Sequence, residues 1–439
     1  MPEQRFPDEF VWGAATSAYQ IEGAAGEDGR GVSVWDTFCA VPGNVKDGDT
    51  GAVAADHYHR HGEDLDLMAS LGLRGYRFSI AWPRVQPDGA GKPEQRGLDF
   101  YRRLVDGLRE RGIAPMATLF HWDLPQALQD AGGWENRDTA ARFADYAAIV
   151  FDALDIRDWL TVNEPKTVVE CGHRWGIHAP GVQDDAKAFV VLHHLLLGHG
   201  LAAQALHQAH PGRRIGPALN LHPSYAADPS PAAAKMAWHQ DGLENRLYLD
   251  PIFTGAYPED TLAWIGERSP MPERVLDGDL AVISEPIDVL GVQYYTPRFV
   301  DGEGNRVQKY PTAQLDWLEV YPRGLYDTLM RLKSDYPEVP IVITENGVPA
   351  PDEVGPDGRV ADPGRVAFLR DHLTAVRDAL AEGVPVEGYY VWSLLDNFEW
   401  AEGYSARFGI VHVDYATQRR TPKDSALWYR DLITTGLLP

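Results

Sequence analysis

Eight short apolar runs of strand character recur along this 439-residue chain, each separated from the next by a longer segment. They fall at 10–16, 75–82, 114–121, 159–164, 215–222, 287–295, 339–345 and 386–394. Their apolar content is nearly continuous, where a strand with one wet face would alternate, so they read as parallel strands covered on both faces. The segments between them carry amphipathic stretches, such as 62–71 with Leu65, Leu67, Met68 and Leu71, and 98–111 with Tyr101, Leu104, Val105 and Leu108. These predict helices that lay an apolar stripe against the sheet. Eight such units without a Gly/Ser-rich linker imply one α/β domain over 1–439, a (β/α)8 TIM barrel with elaborated loops at its C-terminal face. The rival, an open doubly wound sheet, sets a glycine-rich phosphate loop directly after its first strand. Here Gly26-Glu27-Asp28-Gly29-Arg30-Gly31 lies well past that point and carries two acids. Pro- and Gly-rich pieces near 223–232, 255–275 and 349–364 read as loops, and 408–420 as a short hairpin.

Net charge is -24 and no basic run is present, which disfavours nucleic acid and anionic membrane surfaces and suits a neutral small-molecule substrate. Cys39 and Cys171 are too few for a disulfide framework and read as free thiols. The start, Met1-Pro2-Glu3-Gln4-Arg5-Phe6, lacks the basic and apolar parts of a secretory signal, and no stretch reads as long and apolar enough to span a bilayer. A cytoplasmic protein without membrane association is the expectation; oligomeric state is left open.

In a barrel of this kind, chemistry collects at the C-terminal strand ends and the loops after them. Those positions hold Gln20, Arg77, His121-Trp122-Asp123, Asn163-Glu164, Asn220, Tyr294-Tyr295, Glu345-Asn346 and Trp392, with Glu399 and Trp400 in the last loop. Any one of them has a plain structural reading: a tryptophan is often core, and a strand-end glutamate is often half of an ion pair. Their gathering on one rim is better explained by a ligand rich in hydroxyls, whose ring faces suit Trp122, Trp392 and Trp400. Glu164 and Glu345 each end a β-branched run, so each emerges into the same cleft. Paired carboxyls in that setting are what acetal cleavage requires, one to protonate the leaving oxygen and one to face the anomeric carbon. Arg77, inside an apolar strand, must meet a carboxylate, and Glu345 is the expected partner.

His57-Tyr58-His59-Arg60-His61 invites a metal reading, but no acidic ligand set follows it, and a capping, solvent-facing role is expected instead. Neither a metal nor a redox cofactor is implied.

These residues carry a resemblance. The run Phe10-Val11-Trp12-Gly13-Ala14-Ala15-Thr16-Ser17-Ala18-Tyr19-Gln20-Ile21-Glu22-Gly23, then Tyr76-Arg77-Phe78-Ser79, Thr118-Leu119-Phe120-His121-Trp122-Asp123, Asn163-Glu164-Pro165, His178-Ala179-Pro180-Gly181, Thr344-Glu345-Asn346-Gly347 and Trp392-Ser393-Leu394-Leu395-Asp396-Asn397-Phe398-Glu399-Trp400 resemble glycoside hydrolase family 1 across essentially the whole chain. The resemblance implies a retaining β-glycosidase, most simply a β-glucosidase, with Glu164 as general acid/base and Glu345 as nucleophile. It implies that Tyr295 hydrogen-bonds the nucleophile, that Gln20, His121, Asn163, Glu399 and Trp400 bind sugar hydroxyls, and that Trp392 forms the floor. Glu399 stands where members acting on 6-phosphorylated sugars carry a small residue, and its charge would repel a phosphate. Two departures stand out. Gln293 replaces the usual asparagine before Tyr294-Tyr295, moving an amide near the sugar's 2-hydroxyl, and Lys166 replaces the usual tryptophan after Glu164-Pro165.

Retention calls for carboxyls about 5–5.5 Å apart. β-Galactosidase, β-fucosidase and transglycosylase activity on the same site are the nearer alternatives. A non-catalytic sugar-binding protein is the remote one, against which both glutamates speak.

Overall fold

The computed structural model describes residues 5–438. Eight parallel strands close a barrel: β1 Val11–Ala15, β2 Gly75–Ser79, β3 Ala114–Phe120, β4 Asp158–Asn163, β5 Arg214–Asn220, β6 Leu290–Gln293, β7 Ile341–Asn346 and β8 Val386–Trp392. Each strand pairs with its chain neighbour, and β1 closes the ring against β8 with Ala15 opposite Trp392. Every residue of β2 and β7 is buried, which is why their sequences show no alternation.

All eight expected runs are strands, but most end one or two residues early. Trp82 begins a short helix, Trp82–Val85, and Glu164 leaves the ladder with φ 42. Those lost residues form the mouth. Register shifts fall at the same level, between Leu160 and Asn163 on β4, between Val292 and Gln293 on β6, and between Tyr389 and Val391 on β8. Such irregularities re-aim side chains at the end of a pairing. Here they turn Asn163, Gln293 and Glu345 toward one another. Beside them β7 and β8 approach so closely that a Cβ on Gly347 would lie 1.8 Å from the Trp392 carbonyl oxygen, so only glycine fits there.

The surrounding helices follow the apolar stripes. Gln95–Glu110 buries Leu98, Tyr101, Leu104, Val105 and Leu108. The helix expected at 62–71 begins earlier, as His57–Ser70. This corrects the solvent-facing reading of the histidine run: His57 is buried, its Nδ1 2.7 Å from Asp64 two turns on, and Arg420 Nε donates to the same carboxylate at 2.8 Å. His59, by contrast, pairs in the open, with Asp56 and Glu27.

A second correction concerns length and apolarity. Asp185–Ala209, 25 residues, is long and apolar enough to cross a bilayer by composition, contrary to expectation. Its apolar surface is instead buried in the protein, against Asp138–Ala153 among others, so it is a core helix. The loop readings are also too coarse. The 223–232 segment holds a strand, Ser224–Ala226, and 255–275 holds helices Glu259–Gly266 and Met271–Arg274. Val411–Asp414 and Arg419–Pro422 pair antiparallel as the expected hairpin.

Candidate active site

A cavity of about 410 Å³ opens at the C-terminal ends of the strands, and Glu164 and Glu345 both line it. Their surroundings differ. Glu345 sits at the end of β7 amid three donors. Its Oε1 accepts from Arg77 Nη1 at 2.5 Å and from Gln293 Nε2 at 2.7 Å, and its Oε2 accepts from the Tyr295 hydroxyl at 2.8 Å. Arg77 is fully buried and held in place by Thr118 Oγ1 at 3.1 Å, the Thr344 carbonyl at 3.2 Å and Asn163 Oδ1 at 2.5 Å. The ion pair expected from a charge inside an apolar strand is therefore present. Burial pushes the Glu345 carboxyl up, and the Arg77 guanidinium and then Tyr295 pull it back.

Among the described residues, Glu164 has no cation in hydrogen-bond contact. Its Oε2 accepts one hydrogen bond, from Thr167 Oγ1 at 2.7 Å. Burial, then repulsion from Glu345, pushes its carboxyl up to about 8. Two glutamates in one cavity are thus held in opposite roles by their neighbours, the pattern that separates an acid from a nucleophile. Thr167 in turn accepts from Asn220 Nδ2 at 3.1 Å. Since Thr167 spends its proton on Oε2, the acid proton of Glu164 resides on Oε1. Thr167→Val removes a bond that lowers the Glu164 pKa. The alkaline limb of kcat/KM should move to higher pH while the acid limb stays, with kcat reduced about three- to tenfold, the worth of one hydrogen bond. A downward move of the alkaline limb would contradict this arrangement.

Of the residues expected to contact sugar, His121, Trp122, Asn220, Trp392, Glu399 and Trp400 line the cavity with the two glutamates, as does Tyr295, expected on the nucleophile. The His121 ring stacks 5.9 Å from both Trp392 and Trp400, and Asn163 Nδ2 donates to its Nε2 at 3.1 Å, so Nδ1 carries the proton. Trp122 and Trp400 hold left-handed backbone, φ 78 and 52, a conformation that costs a bulky residue about 1–3 kcal/mol and gathers at functional sites.

Gln20, Asn163, Gln293 and Arg77 stand one layer behind this wall. Gln20 Nε2 reaches Asn397 Oδ1 at 3.1 Å and Glu399 Oε2 at 3.4 Å. Asn163 Oδ1 is shared between Arg77 and Gln293 Nε2, the latter at 2.7 Å. Asn220, expected on the sugar, has its amide nitrogen committed to Thr167. Gln293, expected to shift an amide near the sugar's 2-hydroxyl, uses its longer arm to reach the Glu345 carboxylate. Burial, followed by Glu345 and Glu164, pushes the Glu399 carboxyl well above the usual range.

Sequence reasoning missed Thr167, Glu170, Trp175, His222, Arg298 and Trp317, all lining the cavity. Thr167 was findable, one helical turn after Glu164 on the same face. Among the described residues, no three His, Cys, Asp or Glu side chains cluster as a metal site.

Residues 2–437 match the profile of Glycosyl hydrolase family 1. The chain is 45% identical to "Beta-glucosidase A" of Acetivibrio thermocellus, covering 99% of each. It is 44% identical to a "Bifunctional beta-D-glucosidase/beta-D-fucosidase" of Bifidobacterium breve, covering 98% of each. Among solved structures, a family 1 β-glucosidase from Thermotoga maritima superposes with TM-score 0.96 at 43% identity over 100% of both chains. The same enzyme is also known in complex with glucoimidazole, again at TM-score 0.96.

Proposed function

Since this chain belongs to glycosyl hydrolase family 1, we propose that it is a retaining β-glycosidase that removes terminal non-reducing β-D-glucosyl residues, with Glu345 as nucleophile and Glu164 as acid/base. The observation that carries this reading is the unequal escort of two carboxyls in one cavity: a buried guanidinium and two neutral donors on Glu345, a single hydroxyl on Glu164.

In the first step Glu345 forms a bond to the anomeric carbon as the glycosidic C–O bond breaks, and the proton of Glu164 passes to the departing oxygen. Esterification removes the charge on Glu345. Its repulsion is one of the two forces that raise Glu164, so the Glu164 pKa falls once the ester exists. The group that acted as an acid is then poised as a base. It takes a proton from water, the water oxygen bonds the anomeric carbon, the ester bond breaks, and both carboxyls return to their starting states. His121, Glu399 and the tryptophan faces hold the sugar during both steps.

Hydrolysis of p-nitrophenyl β-D-glucoside followed by proton NMR tests the reading. The first-formed glucose should be the β anomer, and α-glucose appearing first would overturn it. In the same assay kcat/KM should fall with rising pH near pH 8, where free-enzyme Glu164 loses its proton. The relative named for both activities makes the aryl β-D-fucoside the first alternative glycone to try. We place the enzyme in the cytoplasm, a reading supported by Cys39 and Cys171 standing as free thiols and tested by subcellular fractionation.

A further inference from the structure

Outside the cavity, a group of buried charges joins the loop after β7, which follows Glu345, to the loop after β8, which leads to Glu399. Its centre is Lys423. This residue stands between the C-terminal hairpin and the helix Asp424–Thr435, and it is fully buried. Its Nζ donates to Asp396 Oδ1 at 2.7 Å and also to Asp352 Oδ2. Asp352 belongs to the loop after β7 and Asp396 to the loop after β8. One ammonium therefore spans both loops.

Each side is tied further toward the site. Arg365 grips Asp352 with Nη2 on Oδ2 at 2.8 Å and Nη1 on Oδ1 at 3.3 Å, and its Nε donates to the Val348 carbonyl at 3.2 Å. Val348 is three residues beyond Glu345. On the other side Asp396 accepts from Arg407 Nη1 at 2.6 Å and from the Gly409 N–H at 3.1 Å. Glu399 is three residues beyond Asp396. Between those two, Asn397 Oδ1 accepts from the same Gln20 Nε2 that reaches Glu399. Two short arms thus run from the charge group to two glutamates that line the cavity.

Three cations, Lys423, Arg365 and Arg407, face three carboxylates, Asp352, Asp362 and Asp396. Stability alone does not call for such a group, since well-packed apolar residues often replace buried ion pairs at no cost. What charged hydrogen bonds add is fixed distance and direction, where apolar contacts can slide. We propose that Lys423 is a positioning residue for the reaction: by holding Asp352 and Asp396 on one ammonium, it sets the separation between Glu345, which attacks the sugar, and Glu399, which holds it. The inference rests on the glycosidase reading and adds to it a residue that touches no substrate. Without the ammonium, Asp352 and Asp396 face each other as like charges and draw apart. Sugar held by Glu399 then moves off the nucleophile. Bond formation depends steeply on that approach, so that a displacement of about 1 Å caused far from the chemistry can cost about 10²-fold in rate.

The test measures kcat and KM for p-nitrophenyl β-D-glucoside, and the inhibition constant of glucose, well below the melting temperature. The proteins are the full-length wild type, Lys423→Met, and Lys423→Met combined with Asp352→Asn. In Lys423→Met, kcat should fall about ten- to hundredfold, while KM and the glucose constant stay close to wild type. The double variant removes one of the two like charges, so it should recover part of the lost rate. Unchanged kcat in a merely less stable Lys423→Met overturns the proposal. So does a glucose constant that worsens in step with kcat, because Lys423 would then shape the sugar contacts and not their distance from Glu345. A double variant slower than the single one overturns it too. If Lys423→Met does not fold, Asp352→Asn alone decides: it weakens one arm and leaves Asp396 paired, and the same loss in kcat without loss of glucose binding is expected, with unchanged kinetics counting against the proposal. A wild type that does not turn over the aryl glucoside would instead strike down the glycosidase reading itself.

Discussion

Glu345→Gly should lose about 10⁴- to 10⁶-fold in kcat/KM on an aryl β-glucoside, the scale on which enzymes respond to loss of a nucleophile, and millimolar azide should restore part of it. The surroundings dictate both halves. Removing the carboxylate leaves Arg77 Nη1, Gln293 Nε2 and the Tyr295 hydroxyl converging on a space that held two oxygens. That is a ready-made hole for a small anion. Azide bound there attacks the anomeric carbon from the face Glu345 occupied, so the product should be α-glucosyl azide. The same substitution strands the Arg77 charge in a fully buried position, which destabilises by about 3–5 kcal/mol when a buried pair is broken. Melting temperature should therefore drop, and azide should recover some of it by binding only the folded state. A folded variant that azide leaves inactive would remove Glu345 from the nucleophile's role.

How far this site could be read from the chain depends on the range of each interaction. The barrel was legible because burial on both faces writes itself into every strand. The Arg77–Glu345 pair was legible for a related reason: a guanidinium inside an apolar run admits few partners. What escaped were contacts made by residues whose own neighbourhoods look ordinary. His57 reads as a solvent-facing cap until Asp64 and Arg420, 356 residues apart from each other in the chain, close over it. His222 sits in an irregular segment and Arg298 opens a short strand outside the barrel, Arg298–Val300, paired with Ser224–Ala226, and neither setting announces a contact with the other. Protonation was equally hidden. Nothing in the chain around Glu399 announces that burial and two like neighbours push its carboxyl well above the usual range.

The departures from the family pattern show the same division. Replacement of asparagine by Gln293 was visible, but its consequence was not. A longer amide could have faced the sugar, yet the register shift at the end of β6 turns it inward, where Nε2 bridges Asn163 and Glu345. The substitution thus acts on the nucleophile's hydrogen-bond shell and only through it on the substrate. Lys166 gave the converse case. Loss of an aromatic ring was visible, while the polar neighbours of Lys166, His222 and Glu244, come from segments far along the chain.

Glu164→Ala is the second large effect, and its signature lies in the difference between leaving groups. A glycoside with a sugar or alkyl aglycone needs its oxygen protonated as the bond breaks, so such substrates should lose about 10²- to 10⁴-fold in kcat/KM. Dinitrophenolate departs without a proton, so its glucoside should still glucosylate Glu345 at a near-normal rate. The ester then waits, because no base activates water, and a burst of dinitrophenol followed by slow turnover should be seen. Azide needs no base. Added azide should raise the steady-state rate and yield β-glucosyl azide, the opposite anomer to that from Glu345→Gly, because it now attacks the ester from the Glu164 side. The pH profile should change in step. The fall in kcat/KM near pH 8 belongs to Glu164, so it should vanish in Glu164→Ala while the acid limb, set by Glu345, remains. An alkaline limb that survives the substitution would mean that another group holds the catalytic proton, with Glu399 the only other carboxyl lining the inner cavity among the described residues whose pKa is pushed well above its usual range.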